Sequence, residues 1–408
     1  MGSQQYSPVD HITVANFDDL EVAREWDGAS FGNILARPTP IYVDGMLITV
    51  AGERRYVIAM DAGTGETLWT FREPSTFRWE YSMRKNHGKG VAHANIDGRD
   101  IIYVVSPAFF LHALDAHTGQ PIEGFGGHVP IDGFPETGSV DMLEDLGHPF
   151  DPYEGIPLEI GYITNSSPPI VVNGVVIVGN SAEQGYNQAR PENVPGDILA
   201  YNARTGEHLW KSNVLPGPGE FGHGTWDVDR LHTRASAGGV GAPRGLRLRP
   251  LLPAAAAPRQ RPGKAGSDVG GTNIDGTPAA DPETSIIYVT SQKGCSSREI
   301  VPGHERDARI PQPTGTTISD YAVGQGFRPT VRGLPIFKPP YSRITAIDMN
   351  TGEHLWWIPV GDTPNRILGH PALQGVEIGN TGSGRQAAQL VTPTLLFYTA
   401  TARLNCKL

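Results

Sequence analysis

"AMDAGTGETLW" occupies residues 59–69, and the chain repeats the phrase with variations at 113–123 ("ALDAHTGQPIE"), 200–210 ("AYNARTGEHLW") and 346–356 ("AIDMNTGEHLW"). Its first half alternates. Val57, Ala59 and Asp61 fall on one face, and Ile58 and Met60 on the other, which is the period-two pattern of a strand. Asp-x-x-Thr-Gly follows. An Asp or Asn carboxyl or amide oxygen accepts backbone N–H groups a few residues on, and Thr does so more weakly. Gly65, Gly119, Gly206 and Gly352 supply positive φ where the chain reverses. A second strand starts after each glycine, so each copy predicts a β-hairpin with a fixed loop. Several similar hairpins predict a repeat architecture. The recurring Trp predicts how repeats adhere. Trp69, Trp210 and Trp356 bury a large flat ring against the neighbouring sheet, an effect worth about 2–3 kcal/mol each.

Bulk properties agree. The 50 Gly and 35 Pro among 408 residues favour many turns between short strands over helices. A net charge of −10 gives no electrostatic case for nucleic acid. No stretch approaches the ~18–20 apolar residues of a membrane-spanning helix. Two cysteines, Cys295 and Cys406, make no disulfide framework. "MGSQQYSPVD" shows neither a basic region nor an apolar core, so no signal peptide is read there.

Further phrases carry a family likeness. "QQYSPVDHITVANFDDLEVAREW" (4–26), "NHGKGVAH" (86–93), "SSPPIVVNGVVIVGNSAEQG" (166–185), "PGPGEFGHGTW" (216–226), "GGTNIDGTPAADPETSIIYV" (270–289) and "GLPIFKPPYSRITAIDMNTGEHLWWIPVGDTP" (333–364) follow one another, and "GHPALQG" (369–375) closes the run. With the Trp-ended hairpins, they resemble in order the pyrroloquinoline quinone (PQQ) dehydrogenases, in the glucose and alcohol dehydrogenase branch. The resemblance implies an all-β fold, an eight-bladed β-propeller of four-stranded blades. It implies PQQ, a calcium ion, and oxidation of a sugar or alcohol hydroxyl with hydride passing to the quinone. It also implies a periplasmic location and ubiquinone or a cytochrome as electron acceptor.

Site residues follow from the same likeness. Glu183 in "NSAEQG" matches the family's calcium carboxylate. Lys89 stands where the family has an Arg that contacts the quinone oxygens; Lys keeps the charge and loses the planar fork. Ser166 and Ser167 match a hydroxyl near the cofactor carboxylates, and Asn273 matches an amide donor to PQQ. Each also has an ordinary reading as a loop, surface or turn residue. His87 and His93 receive no role. For the general base, "TWDVD" (225–229) offers Asp227. The residues ahead of it match an earlier family segment, so the catalytic blade is either imitated here or absent.

Residues 230–267 depart from the family, with no Asp, Glu, Phe, Tyr, Trp, Ile or Met. Their Arg, Ala, Gly, Pro and Leu are what GC-rich codons give when read out of frame, and a flexible linker is the simpler alternative. The expected organisation is propeller blades over 1–228, an aberrant linker without stable structure over 229–267, further blades over 268–397 and an aberrant tail over 398–408. The propeller is therefore expected to be incomplete, with blades absent from the middle and the C-terminal end and sheet edges left open. The competing class is a non-catalytic scaffold of PQQ-like repeats that serves protein–protein contacts. "NSAEQG" and "GGTNIDG" favour the enzyme branch.

Overall fold

The computed structural model describes residues 5–23, 25–32, 38–80, 82, 85, 87–146, 163–182, 196–213, 263–266, 271–272, 278–293, 295–298, 300–302, 305, 321–323, 330–383, 387–399 and 404–407. It is a β protein of antiparallel sheets, and the chain divides into two units.

Three four-stranded sheets make the first unit. Sheet one runs β1 (Ile41–Val43), β2 (Met46–Ala51), β3 (Tyr56–Asp61), β4 (Thr67–Phe71). Sheet two runs β5 (Ala92–Ile96), β6 (Arg99–Val105), β7 (Phe110–Asp115), β8 (Ser139–Asp141). The third contains β10 (Ile170–Val172), β11 (Val175–Gly179), β13 (Ile198–Asn202) and β14 (His208–Ser212); a two-stranded pair, β9 (Ile163–Thr164) and β12 (Ser181–Ala182), lies beside its connections. Each sheet is a blade of the expected kind. Each opens with a tight hairpin at Asp44-Gly45, Asp97-Gly98 or Asn173-Gly174, all six residues at positive φ. Asp-Gly and Asn-Gly are the pairs that two-residue hairpins favour, because both central residues must take φ > 0.

The Asp-x-x-Thr-Gly loop keeps one main-chain turn in all four copies, the Gly N–H donating to the Asp or Asn carbonyl at 2.7–2.8 Å, while the side-chain acceptor takes the Thr N–H in three and the N–H of the preceding residue in the fourth. Thr64 N–H donates to Asp61 Oδ1 at 2.6 Å, Thr118 N–H to Asp115 Oδ1 at 3.0 Å, Thr205 N–H to Asn202 Oδ1 at 3.2 Å and Asn350 N–H to Asp348 Oδ1 at 2.7 Å. The four glycines sit at φ between 69° and 77°. The same one-residue register shift precedes the loop at Ala59/Met60, Ala200/Tyr201 and Ala346/Ile347.

Packing follows from alternation. Along β6, Ile102 and Val104 join Ile48, Val50, Val57 and Ala59 in one core. Ile101, Tyr103 and Val105 join Val171, Val176, Val178 and Leu199 in the next. The second blade is thus buried on both faces. Trp69 bridges blades one and two as expected. Its Nε1–H donates to Ala116 O at 3.0 Å, and its ring lies so close over Gly119 that a Cβ there would meet Cε3 at 2.5 Å. Blade two has Glu123 where the Trp belongs, and Tyr103 takes over. Its hydroxyl donates to Ala203 O at 2.6 Å, the position equivalent to Ala116. Trp210 departs from the expected pattern at 43% exposure, and the chain following Asn213 lies outside the described residues.

In the second unit, Ala279–Asp281, Ile286–Gln292, Ser342–Asp348 and His354–Pro359 build a further blade. Trp356 packs against a core holding Ala387, Val391 and Leu396 of the adjacent sheet, and its ring lies 5.7 Å from that of Tyr288. That sheet comprises Ala388–Val391, Leu396–Thr399 and Leu404–Lys407, so the last described residues of the tail are a strand. Of the expected linker, Gly263–Gly266 is described, as a strand paired with Cys295–Arg298. Tyr6 bridges Val391 in parallel and donates its hydroxyl to Glu283 at 2.7 Å.

Candidate functional site

The chain reverses direction at each hairpin, so the β2–β3 turn, the end of β6 and the segments leading into β1, β5 and β10 come to one end of the first unit's blades. Main-chain hydrogen bonds link those lead-ins. Thr39 N–H donates to Lys89 O at 2.9 Å, and Lys89 N–H donates to Ser166 O at 3.0 Å. Gly90, at φ +145°, permits the approach, since a Cβ there would lie 3.0 Å from Thr39 O. Two of the residues singled out from the sequence, Lys89 and Ser166, are therefore neighbours, both half-buried. Ser167 is exposed. Glu183, Asp227 and Asn273 lie outside the described residues.

Two residues that the sequence reading missed stand beside this pair. Arg55 lies in the β2–β3 turn and is 4% exposed. Its Nη1 donates to Val105 O at 3.0 Å, and its Nη2 donates to Asn165 O. Burial pushes the Arg55 pKa down to about 10, and the charge of Glu73 partly opposes that shift. Asn165 is also buried. Its Nδ2 donates to Gly179 O, and its Oδ1 has no partner among the described residues. Glu73 itself bonds His112 Nε2 at 3.2 Å, and His112 Nδ1 bonds Ser139 at 2.9 Å, all three buried.

The donor set can be weighed against the implied cofactor. PQQ is flat, carries carboxylates and needs cationic or amide donors at its oxygens. Lys89 and Arg55 bring two cationic side chains to one neighbourhood, and these two fit an anionic ligand; the spare buried oxygen of Asn165 is an acceptor and suits a donor group instead. Metal ligands are a different matter. Among the described residues, one His/carboxylate group gathers its ligand atoms within 4.8 Å: Asp44, Asp100 and His117. It lies at the opposite ends of β2 and β6 from Arg55 and Val105, and does not serve this site. His93 bonds Asp100 at 2.8 Å, a structural pairing.

The family model described as "PQQ: Glucose/ethanol/alcohol dehydrogenase, beta-propeller domain" matches residues 1–240 and 254–405. The large subunit of glycerol dehydrogenase from Gluconobacter oxydans is 29% identical over 240 residues, covering 55% of this chain and 27% of the relative. Quinohemoprotein alcohol dehydrogenase ADH IIB from Pseudomonas putida is 30% identical over 216 residues, covering 52% of this chain and 25% of the relative. The chain thus aligns with about a quarter of the length of these relatives. Among solved structures, the quinohemoprotein alcohol dehydrogenase from Comamonas testosteroni superposes with a TM-score of 0.42 at 20% identity, over 97% of this chain and 44% of that one.

Proposed function

The chain belongs to the PQQ-type glucose, ethanol and alcohol dehydrogenase β-propeller family, and from that membership we propose that it is part of a quinoprotein dehydrogenase acting on a sugar or alcohol hydroxyl. One observation carries the reading: Lys89 and Ser166, taken from separate family-like phrases, are joined by a main-chain hydrogen bond at the end of the blades where Arg55 and Asn165 are buried. When bound, PQQ supplies the electron sink that accepts hydride from the substrate carbon.

This chain's residues bind and orient. The Lys89 ammonium attracts the quinone oxygens, as a point charge rather than a fork. The Ser166 hydroxyl offers a donor to a cofactor carboxylate. Gly90 keeps the lead-in thin enough for close backbone approach, and Gly88 leaves room for the Arg55 side chain. In this reading Glu183 gives a carboxylate to calcium, which takes oxygen ligands, and Asn273 gives an amide donor. Asp227 takes the substrate hydroxyl proton. Ubiquinone or a cytochrome is the proposed acceptor, and the periplasm the proposed compartment.

The test is titration of the purified chain with PQQ and Ca²⁺, following quinone absorbance, then dye reduction with glucose, ethanol and glycerol. Saturable binding is expected, and Lys89→Arg tightens it about tenfold by restoring the planar fork. A spectrum unchanged by the protein at all PQQ and Ca²⁺ concentrations refutes the reading and leaves the scaffold class.

A further inference from the structure

We propose that Arg55 is a positioning residue of this cofactor site, an assignment that rests on the reading just given. Arg55 belongs to blade one, yet its hydrogen bonds to Val105 and Asn165 leave that blade. Nη1 reaches the carbonyl of Val105 in blade two, and Nη2 reaches that of Asn165, ahead of blade three. Its stem lies against the segment leading into blade two, where a Cβ on Gly88 would meet Arg55 Cγ and Cδ at 2.8 Å. Gly88 immediately precedes Lys89, and Asn165 immediately precedes Ser166. One side chain thus braces both cofactor-site segments one residue upstream of the functional position.

The residue type suits the task. A guanidinium is a rigid planar fork that holds two acceptors at once, whereas an ammonium is a single mobile point. The location is a costly one. Arg55 takes φ +49°, a left-handed backbone that side chains disfavour. Its cation is also withdrawn from water, and a buried charge is tolerated where it is bonded. Lying next to Lys89, that charge further raises the positive potential felt by a ligand bearing carboxylates. Sequence alone hides the role, because "GERRY" (52–56) looks like a solvated turn.

The test compares PQQ affinity, measured with Ca²⁺ by equilibrium dialysis, for the native chain and four variants confirmed as folded by circular dichroism. Arg55→Lys retains charge and loses one of the bonds to Val105 O and Asn165 O, so affinity is expected to fall about tenfold; Arg55→Met is expected to lose about a hundredfold. Gly88→Ala pushes on the stem without altering charge and is expected to weaken binding as well, which keeps the test open if Arg55→Met fails to fold. Tyr103→Phe removes an inter-blade hydrogen bond remote from the site. It is expected to lower the urea midpoint and leave PQQ affinity unchanged. Native affinity in Arg55→Lys and Gly88→Ala overturns the inference alone. Losses that track the urea midpoint across all variants, Tyr103→Phe included, reduce Arg55 to a structural strut and also overturn it. Failure of the native chain to bind PQQ overturns the underlying site reading instead.

Discussion

Gly119→Ala tests the docking geometry at a single atom. Gly119 lies at φ +69°, and a methyl group there would meet Trp69 Cε3 at 2.5 Å and Cδ2 at 2.7 Å. Two costs arise. The left-handed backbone strains any side chain by about 1–2 kcal/mol. Gly98→Ala in the same blade isolates that cost, since Gly98 sits at φ +83° with nothing within 4 Å of its Cβ position. The second cost belongs to Gly119 alone. The indole must move, which costs about 1–3 kcal/mol in overpacking. It also gives up its 3.0 Å hydrogen bond to Ala116 O, about 1 kcal/mol more. Gly119→Ala is therefore expected to exceed Gly98→Ala by about 2–4 kcal/mol, read from urea unfolding by tryptophan fluorescence and far-UV circular dichroism. Trp69→Leu removes the obstructing ring, so in that background Gly119→Ala should cost only the ~1–2 kcal/mol of backbone strain. Equal midpoints for the two alanine variants, or additivity of Gly119→Ala with Trp69→Leu, would show that the indole does not rest on this glycine.

Two further outcomes are expected. Tyr103→Phe should cost about 1–2 kcal/mol in urea unfolding, because the buried Tyr103 hydroxyl bonds Ala203 O at 2.6 Å and its loss leaves that carbonyl unmet; no change in midpoint would deny Tyr103 its linking role. Asp100 and Asp115 are held below the ordinary aspartate value of 3.8. The Asn95 amide and His93 act on Asp100; at Asp115, desolvation pulls upward and is outweighed by hydrogen bonds from Arg99, Thr118 and nearby backbone amides. Since the unfolded chain binds more protons near these values, the stability they add is present above about pH 4 and is lost as pH falls through the folded-state values. Asp115→Asn keeps the loop, as Asn202 does in blade three, and should flatten the acid limb of a urea-midpoint series; an unaltered limb would remove Asp115 from the account.

The hairpins were legible because they are local. Alternation, an Asx acceptor and a glycine at fixed offset specify strand, loop and strand within a dozen residues, and Val57 and Ala59 do face blade two while Ile58 and Met60 turn away. The Asp-Gly and Asn-Gly pairs at 44–45, 97–98 and 173–174 carried an equally strong turn signal that the reading passed over. The replacement of Trp by Tyr103 could not be seen. Its ring comes from β6, ahead of the Asp-x-x-Thr-Gly loop and outside the repeat's own phrase, and only the register of the sheet places it opposite Ala203. β8 was hidden for a similar reason, since it joins β7 across an insertion of more than twenty residues. At the site, motif order found Lys89 and Ser166. Arg55 and Asn165 act through carbonyls and burial rather than through a phrase, so no motif announces them.

The thread from Thr39 through Lys89 to Ser166 runs entirely through amide and carbonyl groups. Every amino acid except proline carries both, so the seat at position 89 is indifferent to what projects from it. Selection can exchange arginine for lysine there, retuning cofactor preference, without disturbing the spacing of the three blades. A binding locus founded on main chain in this way is free to drift in chemistry while its framework stays put.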